Sequence, residues 1–171
     1  MLMYTFSERV LRKYLRFRLR GFPKSARRVM REMREALEIL FAVQLARRLL
    51  WPNTAAVPWQ GSCTIDEGGI DLDLDDYVDR YLHKNARHGD KEHFLAQVHE
   101  CRAWMRFDPR MQIKGHDFIA TLIWYVAQHH GFKSFARVRQ ETLEQELFSC
   151  LELRALTPEH LFLQLLDRVP A

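Results

Sequence analysis

Between Pro23 and Pro52, apolar residues recur at helical spacing, as Ala26, Val29, Met30, Met33, Leu37, Leu40 and then Gln44 or Leu45. That stripe predicts one long helix ending near Trp51-Pro52, and everything else in the chain has to be arranged around it. Ahead of it, Ser7 suits an N-cap, Val10, Leu11, Tyr14, Leu15 and Leu19 form an apolar face, and Arg9, Arg12, Lys13, Arg16 and Arg20 fill the other. Gly21 stops this first helix and Pro23 suits the first turn of the next, so residues 1–51 read as a basic helical hairpin.

The character changes over residues 52–72. Prolines at 52 and 58 and glycines at 61, 68 and 69 mark a loop with short strands at Cys63 to Asp66 and Ile70 to Leu72, joined through Glu67-Gly68-Gly69. Residues 73–171 return to helix: Leu74 to Leu82, Lys91 to Phe107 behind an Asp90 cap, Phe118 to His130, Leu143 to Leu153, and Pro158 to Val169 behind Thr157. The expected fold is mainly α, a single helical domain over 1–171 with at most a small β-hairpin. A chain of 171 residues can bury a self-sufficient core, and 47% hydrophobic with 28% charged residues is an ordinary globular composition rather than a disordered one.

Charge is distributed unevenly. Residues 1–50 hold 13 Lys and Arg against 4 Asp and Glu, a net of +9, and 11 of those cations are arginine, the side chain suited to bidentate phosphate or carboxylate contacts. The remainder is net −5. Arg9, Arg12, Lys13, Arg16, Arg20, Arg27, Arg28 and Arg31 are therefore the candidate binding residues, for nucleic acid or an acidic protein partner. Cys63, Cys101 and Cys150 are odd in number and form no CxxC pair, which fits a reducing, cytoplasmic setting. No apolar run has the length of a membrane span, so no membrane partner is expected.

Motifs for chemistry are sparse. His83, His88, His93 and His99 lie near Glu92, Glu100 and Cys101, but His93 and His99 are six apart and face different sides of a helix, which argues against a metal. The Arg-x4-6-His pattern of HEPN-type ribonucleases occurs at Arg87–His93, Arg110–His116 and Arg154–His160, about as often as chance supplies it, on the order of three times. Asp71 to Asp79 resembles the start of a calcium loop but has Asp76 where glycine is required and Leu82 where the closing glutamate belongs. Helix capping by Asp71 or Asp73 accounts for it more simply. No cofactor is called for. In Gly115-His116-Asp117, Gly115 allows a turn, Asp117 suits the cap of a helix from Phe118, and Gly131 suits its close. His116 and Asp117 are the weak catalytic candidates.

Segment order carries a resemblance. Arg110 to Phe118, followed by an apolar helix and Gly131, resembles the "GHD-L" segment of the TOPRIM-like domain-of-unknown-function family 4435. Phe6 to Leu15 resembles the helix after that family's acidic "DLE" segment, and Trp59-Gln60-Gly61 stands where the family often has an aromatic-Lys-Gly. The resemblance implies the helical C-terminal part of a bacterial antiphage defence protein, nuclease-like, acting beside an ATPase or a TOPRIM half. The family's metal-binding acids have no counterpart here. The resemblance thus implies a non-catalytic or split accessory lobe without autonomous nuclease activity, binding nucleic acid or a partner through the arginine-rich region. A protein-interaction or homodimerisation module, and a nuclease-related enzyme using His116 and Asp117, are the rival readings.

Overall fold

In the computed structural model, residues 7–104 and 115–150 are described, apart from the side chains of Gly115 and His116. The described residues form helices α1 (Glu8–Phe17), α2 (Ala26–Leu50), α3 (Leu74–Lys84), α4 (Lys91–Trp104), α5 (Gly115–Ala127) and α6 (Gln140–Ser149), with strands β1 (Cys63–Ile65) and β2 (Ile70–Leu72) between α2 and α3. The fold is mainly α, with one small antiparallel hairpin among the described residues. The expected helix from Pro158 to Val169, and the extensions of α4 to Phe107 and of α6 to Leu153, lie outside the described residues.

Helix α2 is the axle. It packs against α1, β2, α4 and α5, while α6 closes over α1 and α5. Being covered on several sides, α2 buries more than one stripe: Ala36, Ile39, Ala42, Val43 and Ala46 join the expected Ala26, Val29, Met33, Leu37 and Leu40. Met30 and Leu45 are only half-buried. A helix that is apolar on several sides is the pattern of a core element rather than a surface one.

The first hairpin differs from expectation at its turn. Ser7 caps α1, its Oγ accepting from the Val10 amide at 3.2 Å. The helix then ends at Phe17, so Leu19 is buried beyond its last turn, and Gly21 takes a φ of +82° that favours glycine. Pro23 is not in the first turn of α2. That helix begins at Ala26, because Ser25 caps it by accepting from the Arg28 amide at 3.3 Å.

Strands β1 and β2 pair Cys63 with Leu72, Thr64 with Asp71 and Ile65 with Ile70. Asp66 closes the turn, its Oδ1 accepting from the Gly68 and Gly69 amides at 2.7 and 2.9 Å. Ile70 and Leu72 face inward, so the alternation along β2 lays one face of the hairpin on α2. Asp73 caps α3 through the Asp76 amide at 2.9 Å.

Further corrections concern helix ends. A single 3-10 turn, His88–Asp90, precedes α4, and the Asp90 carboxylate there faces Arg87 at 3.3 Å. Helix α5 starts at Gly115, so Asp117 lies inside its first turn and is not its cap. It stops at Ala127, and Gly131, with φ +87°, belongs to the tight turn in which the Phe132 amide reaches the His129 carbonyl.

Candidate functional site

The packing of α1 decides what its basic face can do. Val10, Leu11, Tyr14 and Leu15 are each 7% exposed or less, so the apolar side of this helix is consumed by the core. Tyr14 also donates to Glu146 of α6 at 3.1 Å, and Arg18 pairs with the same carboxylate at 3.1 Å. The helix is fixed, with its cations turned outward.

Those cations meet the start of α2 across the turn. Arg12 and Arg16 from α1, Arg20 and Lys24 from the turn, and Arg27 from α2 line an open groove of about 690 Å³ floored by Leu15, Leu19 and Phe22. The one carboxylate among its described lining residues is Glu8, bound to Arg12 at 2.5 Å. Phe17, which does not line the groove, stands 58% exposed next to Arg16, with the Arg16 guanidinium 5.7 Å from its ring. Five cations around one concavity concentrate positive potential beyond what the same charges produce on a flat face.

Of the eight basic residues expected to bind, Arg12, Arg16, Arg20 and Arg27 come together in this groove. Arg9 and Arg31 are exposed, and Lys13 half-buried, without lining it. Arg28 has a structural job, its Nε bonding Glu32 at 2.6 Å. Lys24, which was not expected, lines the groove and also reaches Glu32 at 2.5 Å. A lone lysine between Pro23 and Ser25 gives no periodic signal, which is why spacing arguments pass over it.

Glu32 is the buried charge that organises this corner, 3% exposed in the middle of α2's apolar surface. Burial pushes its carboxyl up, but hydrogen bonds from Lys24, Tyr125 and Arg28 overcome that and hold it at about 2. The cationic face is thereby anchored to α5 through an internal anion.

The other sequence candidates separate. Asp117 Oδ2 accepts from Gln44 Nε2 at 2.8 Å, and Thr121 Oγ1 donates to the Asp117 carbonyl at 2.7 Å. The His116 side chain lies outside the described residues. Arg87 lies over the Trp51 ring at 4.4 Å and faces Asp90 at 3.3 Å. Most of the Asp71 to Asp79 acids are occupied as well: Asp73 caps α3, Asp75 and Asp79 grip Lys91 at 3.1 and 2.8 Å, and Asp76 faces Arg80 at 3.9 Å. His83 and His88 do approach, with ring centroids 5.0 Å apart, but among the described residues no group of three or more His, Cys, Asp or Glu side chains converges. Burial pushes all three thiols up, Cys63 to about 12, the opposite direction from the shift that favours a thiolate. No described helix is long and apolar enough to cross a membrane.

Comparison with protein-family models, with curated proteins and with solved structures yields no match.

Proposed function

We propose that this chain is a non-catalytic nucleic-acid-binding lobe whose α1–α2 groove takes the phosphate backbone. The observation that carries the reading is the convergence of Arg12, Arg16, Arg20, Lys24 and Arg27 on one groove whose described lining holds a single, already paired carboxylate. Arginine forks and a compact ammonium suit phosphate oxygens, and an exposed aromatic beside them suits an unstacked base. A lipid surface is the poorer fit because the apolar side of α1 is packed inside. Service as the accessory lobe of a TOPRIM-type defence system is part of the same proposal and rests on the order of matched segments alone.

The test is fluorescence anisotropy with single- and double-stranded oligonucleotides. If Arg16, Arg20 and Arg27, the groove cations outside the Glu8 and Glu32 pairs, neutralise phosphates on duplex DNA, log K falls by about 2.7 for each unit of log salt. The double variant Arg16→Glu, Arg20→Glu is expected to abolish binding with the fold intact, since both side chains are exposed. Binding by the double variant equal to that of the wild type overturns the reading. Binding to acidic polypeptides but not to nucleic acid reassigns the groove to a protein partner.

A further inference from the structure

A second cavity, of about 540 Å³, opens where α2, the Ala56–Gln60 loop, α3 and α5 meet. It shares no lining residue with the basic groove. Its size falls in the range of small-molecule sites.

Arg47 enters it from α2. Two other arginines of this helix are matched to acids, Arg28 to Glu32 and Arg34 to Glu38, whereas the Arg47 guanidinium makes no hydrogen bond or ion pair with a described residue. Its Nε is buried without a partner. Lys84 stands at the same cavity with one donor given to the Ala56 carbonyl at 2.9 Å.

Gln44 supplies the opposite need. A carboxylate accepts and cannot donate, so the bond to Asp117 obliges Gln44 to turn its NH2 group that way. Its Oε1 is thereby left buried and unpartnered. Two orphaned polar atoms of opposite character, one donor and one acceptor, three positions apart on one helix and on side chains that line one cavity, are a pattern that a ligand relieves once those side chains turn toward it. Val57, Pro58, Trp59 and Tyr77 add apolar wall, with Trp59 braced edge-on against Trp124 at 5.6 Å.

We propose that this cavity binds a small organic oxyanion, a carboxylate or a phosphate monoester. Arg47 takes its anionic end with Lys84 beside it, and the Gln44–Asp117 pair takes an N–H or O–H on the same molecule. Neither Arg47 Nε nor Gln44 Oε1 is open to water as the cavity stands. Binding therefore includes a rotamer change of both side chains, a common adjustment at binding sites.

Isothermal titration of the full chain decides it, with aromatic L-amino acids in one arm and 5′-mononucleotides in the other. The expected result is saturable binding in one arm, weakened about tenfold or more by Arg47→Gln and unchanged by Arg16→Glu with Arg20→Glu. Should Arg47→Gln fail to fold, Ala120→Leu, which fills the cavity without removing a polar group, is expected to abolish the same signal. Absence of binding in both arms overturns the proposal. So does binding that survives Ala120→Leu, or that is lost with Arg16 and Arg20, since that would place the ligand in the basic groove.

Discussion

Tyr125 donates its phenol hydrogen to Glu32 from 93 positions further along the chain, tying α5 to the second turn of α2 inside the core. The contact makes stability depend on pH in a definite direction. Glu32 is held at about 2 against an ordinary 4.5, so its contribution is fully present above pH 4.5 and is lost as pH falls from there toward 2. Tyr125→Phe removes a hydrogen bond to a charged group and is expected to lower stability by about 2 kcal/mol at neutral pH while moving the acid-unfolding midpoint upward. Circular dichroism across pH 2–7 checks it. An unchanged midpoint would mean that Lys24 and Arg28 suffice without the phenol.

Gly69 sets how closely the β-hairpin approaches α2. A Cβ on it would lie 2.3 Å from the Glu32 carbonyl oxygen, and its φ of +135° is already one that L-residues rarely adopt. Gly69→Ala is therefore expected to destabilise by at least about 3 kcal/mol. Gly21→Ala, where nothing lies within 4 Å and only the positive φ is at stake, is expected to lose about 1 kcal/mol. Paired urea titrations compare the two, and equal losses would show that the close approach contributes nothing.

Asp117 separates a structural role from a catalytic one. Asp117→Asn can still offer an oxygen to Gln44 and is expected to change stability by less than about 1 kcal/mol. Asp117→Ala strips the partner from Gln44 Nε2 and is expected to lose about 2 kcal/mol. Thermal melts rank the pair. A nuclease activity in the wild type that vanishes in Asp117→Asn with an unchanged melt would restore the enzyme reading.

The acids at the start of α3 act as ion-pair partners for Lys91. Magnesium or calcium at millimolar level is accordingly expected to leave the melting temperature unchanged. Asp75→Asn with Asp79→Asn is expected to lower the melting temperature only slightly, with the difference shrinking in salt. Stabilisation by either ion that is lost in this double variant would point to metal binding.

Local features could be read from residue order, while convergent ones could not. The Ser7 and Asp73 caps, the end of α2 and the two strands are set by groups a few positions apart, and spacing reveals them. Pro23 misleads because Ser25, two residues on, caps better and delays the helix. Asp117 misleads because its carboxylate finds Gln44, 73 positions back, in place of its own helix end. Glu32 resembles any polar residue on a helical face until Lys24 and Tyr125 are seen to enclose it. The second cavity is hidden for the same reason, drawing on residues from Leu40 to Gln140.

Glu32 also bears on how far the arginine-bearing segment can be transplanted. Excised alone, residues 7–50 would leave behind Tyr125 and the hairpin whose Gly69 packs against the Glu32 backbone, and would present a flooded carboxylate amid bare hydrocarbon. Grafting the groove onto another scaffold thus means carrying α5 and the β-hairpin along with it.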